Sequence, residues 1–197
     1  MRNQSDLPRR KPLRFPGYDY SRLGVYFVTI CVTDKVCLFG HVAPNAVHLN
    51  SLGQIVRSTW LMLPNRFPGL KLDAFVVMPN HFHGILAFTR HNNARSVGAG
   101  LAPPAPAAPT PIHPSPNTSS QHARMYTLGE VIGAFKSLST IAVNRFMGKR
   151  GARLWQRNYY EHVVRDGEEL KNMQQYIAEN PMMWALDPDN SSHKKEA

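Results

Sequence analysis

Residues 70–88 read LKLDAFVVMPNHFHGILAF, two apolar runs set apart by Pro79-Asn80. Apolar, β-branched runs of this length around a Pro-Asn turn signal predict two consecutive strands, one over roughly Leu70 to Met78 and one over His81 to Phe88. Side chains alternate along a strand, so His81 and His83 project to one side and Phe82 enters the opposite packing layer. Gly84 removes a side chain where a ligand needs access to the strand. Upstream, Tyr26-Phe27-Val28-Thr29-Ile30-Cys31-Val32-Thr33 is aromatic and β-branched throughout and predicts a central strand. Between these regions Ser51 and Gln54 have capping-box spacing, and Leu52, Ile55, Val56, Thr59 and Leu63 recur on one helical face, with Pro64 closing the helix.

Downstream, residues 91–124 hold seven of the sixteen prolines, seven alanines and no acidic residue, a composition unable to offset its ordering entropy by burial. It is expected to be a flexible insertion. Thr127 and Glu130 make a second capping box, followed by the stripe Leu128, Val131, Ile132, Phe135, Leu138 and Ala142. A short strand is expected over Tyr159 to Val164. A last helix starts near Asp166, with Leu170, Met173, Tyr176 and Ile177 on one face, and ends at Asn180-Pro181. Residues 1–20 read as a basic arm, 21–186 as one domain interrupted by the insertion, and 187–197 as a polar tail. The element order is α+β and suits a ferredoxin-like antiparallel sheet with helices packed on one face.

The chain has 197 residues, with 23 Lys+Arg against 13 Asp+Glu and a net charge of +10, so one domain fits and a large barrel does not. A sequence pI near 10.0 points to a polyanionic partner. Cys31 and Cys37 are the two cysteines, too few to staple a secreted fold. No apolar run approaches the roughly 18 residues of a membrane span. A cytoplasmic protein without a membrane partner is the expectation.

Three constellations bear on chemistry. His81 and His83 on one strand face are half of a metal site, or else two structural histidines; two ligands require a third from elsewhere. Tyr176 and Asn180 lie one turn apart on the last helix. Tyr176 is either a partly buried core tyrosine or a nucleophile with Asn180 as an amide-oxygen ligand below it; a phenol titrating near 10 needs a nearby metal or base to attack phosphorus at neutral pH. Lys136, Arg145, Lys149, Arg150, Arg153 and Arg157 face only Glu130 as an acidic neighbour in sequence, and Trp155, Tyr159 and Tyr160 are interleaved with or follow them. Cations with aromatics suit phosphate contacts plus base stacking, unless Trp155 and one tyrosine belong to the core.

Taken in order, Pro16-Gly17-Tyr18-Asp19-Tyr20, Tyr26-Phe27-Val28-Thr29-Ile30, Met78-Pro79-Asn80-His81-Phe82-His83-Gly84, Phe135-Lys136-Ser137, Trp155-Gln156-Arg157 and Tyr176-Ile177-x-x-Asn180-Pro181 resemble the REP-associated tyrosine transposases, relatives of the single-tyrosine HUH transposases. The resemblance covers about residues 9 to 186 apart from the insertion. It implies an HUH nuclease fold that cuts and rejoins single-stranded DNA at hairpins through a 5′-phosphotyrosine link. On this resemblance His81 and His83 match the HUH metal pair and Tyr176 the nucleophile. Asn180 takes the position of a polar metal ligand that is often Gln in relatives. The segment containing Arg9, Arg10, Lys11, Arg14, Tyr18 and Tyr20 matches the part that reads a short sequence beside the hairpin. The implied cofactor is Mg²⁺ or Mn²⁺, the partner single-stranded or hairpin DNA, and the protein a monomer or homodimer. A domesticated, non-catalytic hairpin-binding protein is the alternative, and a zinc hydrolase built on His81-x-His83 a remoter one.

Overall fold

Six strands and four helices are present in a computed structural model that describes residues 23–44, 46–89, 126–187 and 190. The expected basic arm, the insertion and nearly all of the polar tail lie outside the described residues. Strand β1 (Gly24–Cys31) is followed by a short hairpin, β2 (Gly40–Ala43) and β3 (Ala46–Leu49). Helix α1 (Ser51–Leu61), the short α2 (Leu63–Arg66), β4 (Leu70–Val77) and β5 (His81–Phe88) come next. After the insertion follow α3 (Leu128–Phe146), β6 (Tyr160–Val164) and α4 (Gly167–Glu179).

The main sheet has the order β4-β5-β1-β6, with each adjacent pair antiparallel. It is the strand order of a ferredoxin-like βαββαβ unit: β1 crosses over through α1 to β4, and β5 returns through α3 to β6. Register fixes which residues share a face. Thr29 lies opposite His83 and Cys31 opposite His81, while Phe27 lies opposite His162 and Thr29 opposite Tyr160.

The even-numbered residues Tyr26, Val28, Ile30, Phe82 and Leu86 enter the main core together with Val56 and Trp60 of α1 and Leu128, Val131, Ile132 and Phe135 of α3. Aromatic rings dominate that core: Trp60 lies 4.6 Å from Phe82 and 5.1 Å from Phe135. The opposite face, which takes the odd-numbered residues of β1 and β5 and the even-numbered residues of β6, is covered differently. Phe27, Ile85 and Val164 form a smaller cluster with Ile177 of α4, flanked by Leu170 and Met173. The expectation that all helices share one face therefore fails for α4, which packs on the side bearing His81 and His83.

Several local readings are corrected by packing. A Cβ on Gly84 would approach the Phe82 ring to 2.7 Å and Trp60 to 2.8 Å, so this glycine admits Trp60 to the core and does not open the strand to a ligand. The α1 cap is Asn50, whose side chain accepts from the Leu52 and Gly53 amides, one residue before the expected Ser51. Pro64 opens α2 instead of closing α1. Along α3 the buried line runs Phe135, Ser139, Val143, leaving Leu138 39% exposed. The Thr127–Glu130 capping box and the Asp166 cap are both present.

Candidate active site and nucleic-acid surface

Strand β5 delivers two imidazoles to the α4 side of the sheet. His81 and His83 are almost wholly buried, with ring centroids 4.6 Å apart. Each Nδ1 is held by a neighbour. Asn80 Nδ2 donates to the Lys35 carbonyl at 3.0 Å, which turns Asn80 Oδ1 toward His81 Nδ1 at 2.8 Å. An amide oxygen only accepts, so His81 Nδ1 carries a proton and the neutral ring keeps its lone pair on Nε2. His83 Nδ1 lies 2.8 Å from Thr29 Oγ1. When Nδ1 donates to that hydroxyl, His83 likewise keeps an Nε2 lone pair, the form in which histidine binds metals.

Tyr176 arrives from α4. Its ring stands edge-on to His83 with centroids 5.3 Å apart and 5.9 Å from Phe27. At 48% exposure it is not a core tyrosine. Asn180, one turn further along the same helix face and 4% exposed, has an Oδ1 that accepts no hydrogen bond among the described residues. A buried amide oxygen in that condition is costly unless a cation or donor satisfies it. On the far side, Asp187 Oδ2 stands 3.8 Å from His81 Nε2. A lone-pair nitrogen and a carboxylate oxygen are compatible at that distance when a cation serves both. Among the described residues no three His, Cys, Asp or Glu side chains form a ready-made metal cluster, so the fit depends on the amide of Asn180. Two imidazoles plus amide and carboxylate oxygens suit Mn²⁺, and Mg²⁺ less closely.

A cavity of about 630 Å³ opens beside these groups, between the β1–β6 face and α4, with Phe27, Thr29, His83 and Tyr176 among its walls. The rival tyrosines Tyr159 and Tyr160 also line it; Tyr160 is 53% exposed, while Tyr159 packs against the main core as well. His162, opposite Phe27 on β6, closes one end through a 2.6 Å contact from Nε2 to Glu169 Oε1. Glu169 Oε2 accepts from the Arg165 amide at 2.7 Å. That amide first, and His162 second, hold the Glu169 carboxyl below its usual range.

The basic surface differs from expectation at two residues. Trp155 is 3% exposed and donates from Nε1 to Ser139 Oγ at 2.8 Å, so it is a core residue and not a stacking platform. Lys136 directs its ammonium at three consecutive carbonyls, of Gln156 at 2.6 Å, Arg157 at 2.9 Å and Asn158 at 3.5 Å. Partial burial lowers its pKa. It ties α3 to the 156–158 segment where a phosphate contact was expected. Arg145, Lys149, Arg150, Arg153 and Arg157 are exposed. The first three border a second cavity of about 570 Å³ past the C-terminal end of α3. Arg9, Arg10, Lys11, Arg14, Tyr18 and Tyr20 lie outside the described residues.

Asn80, Asp187 and the His162–Glu169 pair escaped the sequence reading. Asn80 sat in the quoted motif as a turn signal only, and Asp187 at the edge of the tail.

No family model matches the chain. An uncharacterized protein of Haemophilus influenzae strain Rd is 33% identical over 183 residues, spanning 92% of this chain and 93% of its own. The chain belongs to that protein's family. This family assignment extends over nearly the whole length, both strands of the histidine motif and the tyrosine helix included. Among solved structures, a REP-associated tyrosine transposase bound to a REP hairpin aligns with 84% of this chain and 70% of its own at 16% identity, with a TM-score of 0.48. A Deinococcus radiodurans protein provisionally described as a transposase aligns with 83% and 94% at 16% identity, with a TM-score of 0.44.

Proposed function

We propose that this protein is a metal-dependent single-strand DNA endonuclease and strand transferase of the REP-associated tyrosine transposase kind. The observation that carries the reading is the approach of the half-exposed Tyr176 ring to within 5.3 Å of His83, on the face where His81 and His83 stand together. The ordered motifs of the sequence support the same reading. His81, His83 and Asn180, with Asp187 at hand, would hold a divalent ion, which when bound withdraws charge from a phosphate oxygen.

The chain's own groups do the rest. Asn80 and Thr29 fix the imidazole rings so that no reorientation is required on binding. The Phe27 and His83 rings hold the tyrosine against the sheet. At 48% exposure the tyrosine can be approached by a DNA phosphate from solvent. In the reaction Tyr176 Oη forms a bond to phosphorus and loses its proton, the P–O3′ bond breaks, and the departing 3′ oxygen gains a proton. The 5′-phosphotyrosine conserves the phosphodiester bond energy, so attack by a 3′-hydroxyl rejoins a strand without a nucleotide cofactor. Arg145, Lys149, Arg150, Arg153 and Arg157 would grip the duplex stem through phosphates.

The test is incubation of labelled hairpin DNA carrying unpaired flanks with protein and Mn²⁺, resolved on a denaturing gel. A REP hairpin is the first substrate to use, being the DNA in the transposase structure described above. The wild type should yield a covalent species and Tyr176→Phe none, with hairpin binding by Tyr176→Phe retained. Adduct formation by the phenylalanine variant would refute the assignment of the nucleophile. Binding without any adduct from the wild type would favour the non-catalytic hairpin-binding alternative.

A further inference from the structure

The cavity beside Tyr176 has a wall that the cleavage chemistry does not use. Gln156 begins it, its amide donating to the Cys31 carbonyl at 2.9 Å. Tyr160 and His162 continue it opposite Thr29 and Phe27. Residues 156, 158, 159, 160 and 162 all line the cavity, and Tyr160 and His162, two residues apart on β6, share one face of the sheet. Across from them α4 contributes Asn172, Met173 and Tyr176. Glu169 and Tyr176 are seven residues apart, about 10 Å along the helix axis. The space therefore extends from the reacting tyrosine to the His162–Glu169 pair.

Its chemistry is specific. The side-chain amides of Gln156, Asn158 and Asn172 make no hydrogen bond among the described residues, although their backbones are anchored. Each amide offers a donor and an acceptor side by side, the pattern that pairs with the edge of a nucleobase. Phe27, Met173 and the half-exposed Tyr160 supply apolar and aromatic surface against which a base plane can stack. Asp187 is the one carboxylate among the cavity's lining residues and stands at its histidine end, 3.8 Å from His81 Nε2, while Glu169 is engaged by His162 and the Arg165 amide. The volume, about 630 Å³, falls within the range of small-ligand sites.

Lys136 explains why this wall is rigid. Its ammonium holds the carbonyls of residues 156, 157 and 158, so the segment carrying two of the amides is fixed before DNA arrives. Preorganisation of this kind lowers the ordering cost of recognition.

We infer that this cavity seats one unpaired nucleobase next to the bond that is cut, and that the amides of Gln156, Asn158 and Asn172 read its edge. The inference rests on the DNA-processing reading above and adds a base-selective subsite to it. The experiment uses the full chain, Mn²⁺ and a hairpin library with randomised unpaired flanks. Both the covalently attached pool and the pool merely retained by the protein are sequenced.

The wild type should show a base preference at the flank position adjoining the attached phosphate. Gln156→Ala, Asn158→Ala and Asn172→Ala should each reduce that preference roughly tenfold while leaving preferences elsewhere in place. Asn158 and Asn172 are exposed, so their variants keep the fold if Gln156→Ala does not. An adduct pool without preference at that position, or variants that leave it intact, overturns the subsite and spares the nuclease reading. Absence of any adduct, with a retained-pool preference that the variants flatten, spares the subsite and removes the nuclease reading. No preference in either pool overturns the subsite.

Discussion

Asn80 performs two tasks through one amide. Its Nδ2 secures the Lys35 carbonyl, in a turn where Asp34 and Lys35 both adopt positive φ, and its Oδ1 sets the His81 tautomer. Asn80→Ala should therefore weaken Mn²⁺ binding by about 10–100-fold, measured on the DNA-free protein by titration of free Mn²⁺; unaltered affinity would contradict the tautomer argument. The residue types needed for the site were legible in the sequence because imidazoles at i and i+2, and Tyr and Asn at i and i+4, share faces by local geometry alone. Lys136 and Trp155 were not legible in that way. Nothing local distinguishes a lysine that caps three carbonyls from one that meets a phosphate, or a buried indole from a stacking one. What decides is the position of residues 154–158 beside α3, a tertiary fact. Asp187 reaches His81 for the same reason.

At the scale of elements, α4 carries Tyr176, the proposed nucleophile, and its first turn is tied down by hydrogen bonds. Asp166 accepts from the Glu168 and Glu169 amides, while Glu169 bonds His162 and the Arg165 amide. Because the Glu169 carboxyl is held below its unfolded value, its contribution is fully present above that value, near 4.3, and is lost as pH falls through the lower folded one. Thermal unfolding of the wild type and Glu169→Gln should accordingly differ at pH 6, with the wild type higher, and converge as the pH drops below about 4. A gap that is constant with pH would show that the ionised carboxylate is not what holds the helix. The ends of α4 were legible, since Asp at the start and Asn-Pro at the stop are steric and hydrogen-bonding signals confined to a few residues. The face on which it packs was not, because its apolar stripe of Leu170, Met173 and Ile177 fits either side of a sheet. The hairpin of β2 and β3 went unread for a related reason: four-residue strands give too short an alternation to stand out.

At the scale of the molecule, one sheet separates the main core from the proposed site. One face, filled by Trp60, Phe82 and Phe135, holds the fold together; the other has a small apolar cluster and carries the paired histidines at its end. The ferredoxin-like antiparallel plan was legible in the sequence because the order of elements and the turn at Pro79-Asn80 admit few arrangements. Net charge of +10 and the exposed Arg145, Lys149, Arg150 and Arg153 make a further expectation. Hairpin affinity should fall steeply with salt, and Lys149→Ala or Arg150→Ala should each reduce the slope of log K against log salt by about one; slopes equal to the wild type would place the stem elsewhere. In the proposed reaction Tyr176 becomes joined to DNA beside the paired imidazoles. Its most direct measurement is mass spectrometry of the proteolysed adduct formed on hairpin DNA with Mn²⁺. A nucleotide remnant should be found on the peptide containing Tyr176, on its phenolic oxygen; a remnant on Tyr160, or on any other residue, would rule Tyr176 out as the nucleophile.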